Sequence, residues 1–358
     1  MLGASGCVGS TLLRRLRSRD DLHLILAARD AGRLEDEVAG SDGNAESRTV
    51  DLDRPGSFGA ALTDDIDLVI NCSGRYRDHG MQVARAAAER GISLLDIADE
   101  PIYLDEVVKL SATAVERGCG LIIGSGSAPQ TTGALLRLAS GALRPPLDVK
   151  VAACFGFNRI GPNAVRTATE AVGGWISIGS PGNVWKPGPA LDFPHPFGAM
   201  RARCYPLPET MFLPQMEGVQ TWFAGACLSS PWMNRLVAVL KALYLARRAR
   251  KWMFLGAWCR FAAFVESTCA QRGIGKPGIA FVVEAADREQ TVCCRLYHPD
   301  MTTLTAEALR LTLDQWLTES PRRAGVFLAQ DYIDPKPFLE ALRSAGAVWS
   351  IGGLPNAR

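Results

Sequence analysis

This 358-residue chain contains no run of about 18 uninterrupted apolar residues, so no membrane-spanning helix is expected. Its opening, MLGASGCVGS, has neither a basic start nor a long apolar core, and does not read as a signal peptide. No CxxC pair and no Cys/His cluster at metal-ligand spacing occurs, which argues against a zinc site. The ten cysteines are scattered over apolar segments, with Cys293-Cys294 as the one adjacent pair. That pattern suits buried thiols of a cytoplasmic protein better than a disulfide framework. Neither sign of charge is in excess: 39 basic and 37 acidic residues leave a net charge of +2, no argument for a nucleic-acid partner. Internal repeats and low-complexity linkers are absent as well. What remains is 47% hydrophobic and 21% charged, an ordinary globular composition whose length suits about two domains.

The most informative residues come first. Gly3-Ala4-Ser5-Gly6-Cys7-Val8-Gly9 fits G-x-x-G-x-x-G, and a helical pattern, Ser10-Thr11-Leu12-Leu13-Arg14-Arg15-Leu16, follows at once. In a dinucleotide-binding turn the first glycine allows a tight bend. The second lets main-chain N–H groups approach a diphosphate, and the third lets the helix pack closely on a strand. The helix then turns its positive dipole end to the phosphates. A second strand, His23–Ala28, ends in Arg29 where an acidic residue would bind a ribose 2′-hydroxyl. An arginine there suits a 2′-phosphate, hence NADP (as NADPH) over NAD, although Asp30 follows directly.

Further βα units read in order: strands at 48–52, 67–72, 93–97 and 120–123, with a helix at 81–88 between two of them. Short apolar strands alternating with helices predict an α/β fold with a Rossmann-type, doubly wound parallel sheet. The strand that should precede the glycine turn is reduced to Met1-Leu2. We therefore expect the natural product to start several residues upstream, with the first strand truncated here.

These residues resemble the saccharopine dehydrogenase-like oxidoreductases. The resemblance lies in GASGCVGS at 3–10, AARD at 27–30, VINCSGRYRDHG at 69–80, LLDIADE at 94–100 and GSGSAPQTTG at 124–133. The closing runs TTLTAEALRLTLDQWL at 302–317 and GVFLAQDYIDPKPFLEALRSAG at 325–346 are similar too. Two loops depart from the family pattern. Arg75 stands where a proline is usual, and Ala98-Asp99-Glu100 where a glycine-glutamate pair is common. The resemblance implies a Rossmann domain over 1–135, a substrate or dimerisation α+β domain over 136–300, and helices at 301–358 that return to the first domain.

The middle of the chain is less distinctive. A strand at 148–155 leaves the first domain, a helix starts near Pro162, and glycine and proline are dense from 179 to 214. Pro194-His195-Pro196 reads as a loop. Residues 218–265 carry seven basic side chains and no acidic one. Leu236, Val237, Leu240, Leu243 and Tyr244 repeat there at helical spacing, and Trp252, Met253, Phe254, Leu255 and Trp258 follow. Either this is a domain helix with solvated charges, or 234–258 contacts an anionic membrane surface or a lipidic or acidic carrier. A hairpin is predicted from 279–286 and 290–297.

Candidate chemistry belongs at the carboxyl ends of the strands. Gly3, Ser5, Gly6, Cys7, Val8, Gly9, Arg29, Asp51, Asn71, Cys72, Ser73 and Gly74 are the expected cofactor contacts. Arg75 can clamp a carboxylate, His79 can relay a proton, and Asp99 or Glu100 can act as general acid if buried. No metal site is expected. Tyr332-Ile333-Asp334-Pro335-Lys336 has the Y-x-x-x-K spacing of short-chain reductases, but Pro335 breaks the helix it needs. Cys154, on a strand, lacks the setting of a semialdehyde dehydrogenase nucleophile. The expected function is NAD(P)H-dependent hydride transfer to an imine or related unsaturated centre of an amino-acid-like or carrier-linked substrate. Two alternatives stay open: an enoyl-type reductase of a lipidic substrate at the inner membrane surface, and a non-catalytic nucleotide-binding interaction protein. A homodimer would suit any of these.

Overall fold

A computed structural model describes residues 1–41, 43–158, 162–172, 184–246, 260–265, 267–269 and 271–355. The chain divides into two compact units. One comprises Met1–Gly126 and Thr305–Ile333, the other Ser127–Leu304 and Asp334–Arg358.

The first unit holds strands β1 (Leu24–Ala28), β2 (Ala45–Thr49), β3 (Leu68–Asn71), β4 (Ser93–Asp96), β5 (Gly120–Ile123) and, late in the chain, β12 (Gly325–Leu328). All their pairings are parallel, β1 with β2 and the order β12-β5-β4-β3. Leu2 bridges both groups, lying parallel to Ala27 on one side and Asn71 on the other. Its N–H donates to the Ile70 carbonyl at 2.8 Å, and the Cys72 N–H donates to the Leu2 carbonyl at 3.0 Å. The resulting order, β2-β1-Leu2-β3-β4-β5-β12, is doubly wound and reverses direction at Leu2. Every residue of β4 and β5 is buried, as expected of strands covered on both faces.

Helix α1 (Cys7–Leu16) buries Gly9, Leu12, Leu13 and Leu16, one stripe at helical spacing, and leaves Arg14 and Arg15 outside. That stripe joins Ile70, Leu95 and Ile122 of the sheet in one core. Leu309, Leu313 and Trp316, from the part of α6 (Met301–Thr318) that belongs to this unit, complete it. Between α1 and α6 in the chain, α2 (Met81–Glu89) and α3 (Pro101–Val108) belong to the same unit.

The strand expected at 48–52 lies at Ala45–Thr49 instead. Ala45, Glu46 and Ser47 are poor strand formers by composition, but their parallel register with Leu24, Ile25 and Leu26 decides the matter. Beyond Val50 the chain turns, and the Asp51 carboxylate accepts the Asp53 N–H at 3.1 Å.

The second unit contains β6 (Leu147–Phe155), β7 (Pro187–Phe193), β8 (Gly198–Cys204), β9 (Val219–Leu228), β10 (Ile279–Ala286), β11 (Gln290–His298) and β13 (Val348–Pro355). They form one mixed sheet in the order β13-β11-β10-β6-β9-β8-β7. The β10–β11 hairpin turns at Asp287, whose carboxylate accepts the N–H groups of Glu289 and Gln290, both at 2.8 Å. These bonds hold the Asp287 carboxyl below the usual carboxylate range. On one face Ala152, Cys154, Ala280 and Val282 meet Leu191, Phe193 and Phe197. Helix α4 (Thr132–Ser140) packs on β10 and β11, and α7 (Pro335–Ser344) packs on α4. The helix α5 (Pro231–Ala246) follows β9. The C-terminal segment, expected to return as a whole to the first domain, instead divides: Thr305–Ile333 lies in one unit and Asp334–Arg358 in the other. The reason is β13, which continues the second sheet by pairing antiparallel with β11. Among the described residues, no helix is long and apolar enough to cross a membrane.

Phe281 is 1% exposed at the centre of the second sheet. Phe281→Ala should cost about 3–5 kcal/mol of stability, measured as a lower urea midpoint for that unit. A change under about 1 kcal/mol would contradict this packing.

Candidate active site

The glycine turn is held by contact, not by hydrogen bonds alone. Gly3 has φ +72°, and a β-carbon there would sit 2.6 Å from the Cys72 carbonyl oxygen. A β-carbon on Gly9 would sit 2.0 Å from the Gly3 carbonyl oxygen, an impossible distance. Gly6 differs, since its β-carbon would meet nothing nearer than the Gly3 oxygen at 3.2 Å. Gly3 and Gly9 are therefore required by the protein's own packing, while a β-carbon on Gly6 would press only on that one oxygen. Gly6 N-caps α1, with no side chain bonded to the cap and no acid in the first turn. The first-turn N–H groups of Cys7 and Val8 have no acceptor within the helix and carry its positive dipole end. Ser5 and Cys7 are exposed beside them. Such a helix start can hold an anion.

At the end of β3, Asn71 is 1% exposed. Its Oδ1 accepts the Ser73 N–H at 3.1 Å and the Ser73 hydroxyl at 2.7 Å, which fixes the amide orientation. Its Nδ2 is buried and has no partner. Such a donor is costly to leave unmatched, about 1–3 kcal/mol, so it marks a place for an acceptor. Burial pushes the neighbouring Cys72 thiol up to about 12. Gly74 follows at φ +67° and Arg75 at φ +55°. Proline, the usual residue at Arg75 in the family it resembles, cannot adopt that angle, so this loop has its own shape.

The next strand ends in a clamp. Asp96 is fully buried and its Oδ2 accepts the Tyr103 hydroxyl at 2.6 Å. Its Oδ1 accepts the N–H groups of Ala98 at 3.0 Å and Gly124 at 2.9 Å. Its carbonyl takes the Ser125 N–H at 2.6 Å, tying the end of β4 to the end of β5. Burial raises the Asp96 carboxyl to about 6 against the pull of these donors. Ser125 itself is 0% exposed and its hydroxyl has no partner. Asn71 and Ser125 thus place two unmatched polar groups at the carboxyl ends of β3 and β5.

The expected acid and base candidates separate into two groups. Arg75 faces acids: Nη2 lies 3.0 Å from Asp78 and Nη1 3.4 Å from Asp53. His79 Nε2 lies 3.1 Å from the same Asp53 oxygen. The guanidinium expected to clamp a substrate carboxylate is already matched within the protein. On the next loop Asp99 is solvent-accessible yet crowded by protein, which raises its carboxyl to about 6. Glu100 is 6% exposed and its carbonyl accepts the Leu104 N–H as α3 begins. Asp96 and Asp99 both favour their neutral forms on folding. Their contribution to stability is present below the ordinary carboxylate range and is lost as pH rises through about 6.

Arg29 is exposed at the end of β1. The Asp30 carboxylate turns to the Gly32 N–H at 3.2 Å, capping the short helix that follows. Asp51 sits in the turn after β2, its carboxylate on the Asp53 N–H. Sequence reasoning placed Ser125 after the last of these strands and passed over the role of Tyr103. A tyrosine seven residues past a strand-end aspartate carries no pattern of its own.

Comparison with known proteins follows the same residues. Residues 1–130 match the family model described as the saccharopine dehydrogenase NADP binding domain. Over this stretch the chain is similar to that domain. The rat saccharopine dehydrogenase-like oxidoreductase is 38% identical over 88 residues, 24% of this chain and 20% of that protein. The mouse protein of the same name is 36% identical over 88 residues, again 24% of this chain and 20% of that protein. The match thus spans about a fifth of these relatives' length. Among solved structures, apo saccharopine dehydrogenase (L-Glu forming) from Saccharomyces cerevisiae superposes with a TM-score of 0.63 at 14% identity. It covers 99% of this chain and 98% of its own, a likeness of fold across both units.

The two inner glycines separate binding from folding. Gly6→Ala should keep the melting temperature within a few degrees and weaken nucleotide binding about tenfold or more, read by fluorescence titration. Gly9→Ala should lower both. If Gly6→Ala bound nucleotide as the parent does, the cradle would lie elsewhere.

Proposed function

We propose that this chain is an NADPH-dependent reductase acting on an imine or related unsaturated centre of an amino-acid-like or carrier-linked substrate. The observation that carries the reading is Gly6: packing demands the glycines on either side of it, whereas a β-carbon on Gly6 would meet only the Gly3 oxygen, at 3.2 Å, at the start of α1. The NADP-binding domain class of residues 1–130 agrees with this.

The preference for NADP over NAD rests on Arg29, exposed at the end of β1 while Asp30 is occupied by the Gly32 N–H. A guanidinium there suits the extra phosphate, whereas the usual carboxylate would repel it. When bound, the nicotinamide nucleotide supplies a hydride. The chain's own residues hold and orient. The α1 N–H groups and Ser5 take the diphosphate, and Asn71, Cys72, Ser73 and Gly74 line the site beyond it. Asp99 delivers the proton that the reduced centre needs, because its raised carboxyl holds a proton closer to neutral pH than an ordinary aspartate does. Glu100 shapes this loop by starting α3. Arg75 and His79 both approach Asp53 on the neighbouring loop. Enoyl-type reduction of a lipidic substrate is the second reading, favoured by apolar side chains exposed on α5. A homodimer in the cytoplasm is the assembly and location that go with either.

Arg29→Ser should weaken NADPH binding about tenfold to a hundredfold and leave NADH nearly unchanged. Equal losses for both would remove the 2′-phosphate assignment. In the direction of reduction, kcat should fall as pH rises through about 6, where Asp99 loses its proton. Asp99→Asn should lower kcat about a hundredfold and abolish that limb of the pH profile. A retained limb would move the acid to another group.

A further inference from the structure

The segment 234–258, expected to touch an anionic membrane, lies outside the described residues past 246. A different surface, wholly within the first unit, is complete. The strands of the group β12-β5-β4-β3 all run parallel, so their amino ends share one edge of the sheet. Asn71, Asp96 and Ser125 stand at the other edge. Along a four-residue strand such as β4 the two edges are about 13 Å apart. At the amino edge four connections meet side by side: the loop before β3, the turn between α2 and β4, and the turns before β5 and before β12. They line one cleft of about 470 Å³. Small-molecule sites have volumes of about 300–1,000 Å³. Close main-chain approach holds the walls. Gly91, at φ +71°, would place a β-carbon 3.0 Å from the Arg117 carbonyl oxygen. Gly120 would place one 2.7 Å from the Arg323 carbonyl oxygen. Gly118, at φ +70°, would meet nothing within 4 Å, so its turn borders open space.

Six of the lining side chains are charged: Asp64, Asp67, Glu89, Arg90, Arg117 and Arg322. Among the described residues, none of the six is in an ion pair, and no donor hydrogen-bonds the three carboxylates. Two of the guanidiniums are nevertheless held in place. Arg90 Nη1 donates to the Leu62 carbonyl, a neutral acceptor that leaves its charge unopposed. Arg322 sits over the ring of Trp316, 3.8 Å from the centroid, and Trp316 belongs to the core of this unit. Stacking engages the guanidinium face and leaves its N–H groups for an acceptor. The charges are also sorted along the edge. Arg322 and Arg117 stand before β12 and β5, Glu89 and Arg90 before β4, and Asp64 and Asp67 before β3. One end of the cleft is therefore positive and the other negative, with no net charge. A nucleotide or polyphosphate would meet three carboxylates there, like charge on like. A molecule with one charge of each sign fits both ends. Guanidiniums take a carboxylate by paired hydrogen bonds, and carboxylates take an ammonium group. A free α-amino acid carries these two groups on one carbon.

We propose that this cleft binds a free α-amino acid, with its carboxylate on Arg117 and Arg322 and its ammonium group toward Asp67 and Glu89. The binding does not depend on the redox reading and is tested without nucleotide. The full chain is titrated with each protein amino acid in turn, followed by saturation-transfer NMR. Exposed charge pairs are individually weak, so at least one amino acid should bind with a Kd of about 0.1–10 mM. Its N-acetyl derivative lacks the positive charge and its amide lacks the negative one. Each should bind about tenfold or more weakly. The double variant Arg117→Gln/Asp67→Asn should lose about tenfold or more of the affinity while its melting temperature stays within a few degrees. If that variant melts early, Arg117→Gln alone, at an exposed side chain, provides the same comparison. Asp99→Asn, altered at the other edge of the sheet, should bind the amino acid as the parent does. The proposal is overturned if no amino acid binds at about 10 mM. Cleft variants that bind as the parent does overturn it too. So does a loss confined to Asp99→Asn, which would move the amino acid to the opposite edge. Inorganic phosphate bound as tightly as the amino acid overturns it as well, because the cleft would then be an anion site.

Discussion

Three stretches of main chain meet at the first turn with no room for a side chain between them. Gly3 lies on the Cys72 carbonyl and Gly9 on the Gly3 carbonyl, each closer than any β-carbon would allow. This contact sets where α1 starts, how its axis meets the sheet and where β3 ends relative to both. Once it is made, Gly6 stands at the positive end of a helix dipole with only the Gly3 oxygen, at 3.2 Å, in the way of a β-carbon. An anion cradle results from packing, without a basic side chain in it.

The ends of β3, β4 and β5 then carry two kinds of polar group. Asp96 is saturated, with a phenol and two main-chain N–H groups on its carboxylate and a third N–H on its carbonyl. It holds the loops in place and is poorly suited to chemistry. Gly80 shows how tightly: a β-carbon there would sit 2.5 Å from the Tyr103 ring. Asn71 Nδ2 and Ser125 Oγ are the reverse, buried and unmatched. A fold that satisfies Asp96 so fully and leaves two neighbouring groups unsatisfied is organised around something that binds there. The raised, accessible carboxyl of Asp99 stands on the same loop as the clamp.

The second unit shows a similar division of labour. Its sheet is closed on one face by the β7–β8 hairpin and lengthened at one edge by β13. The region from α5 onward leaves Trp232, Phe261 and Phe264 exposed among the described residues.

Periodicity and glycine spacing alone determined the parallel sheet, the position of α1, the β10–β11 hairpin and the residues of the cradle. Those features are local: a helix needs its i, i+3, i+4 stripe, and a turn with positive φ needs glycine, whatever surrounds them. The boundaries of β2 were not legible, because Ala45–Ser47 become a strand only through register with β1. The division of 301–358 was not legible either, since β13 pairs with a strand about fifty residues earlier. At the site, sequence placed Arg75, His79, Asp99 and Glu100 on two loops after the correct strands. Tertiary structure decided their surroundings, matching Arg75 to two carboxylates and bringing His79 to Asp53, and it crowds the Asp99 carboxyl upward to about 6. A side chain's charge state depends on what lies within a few ångströms, and those neighbours come from segments that only folding brings together.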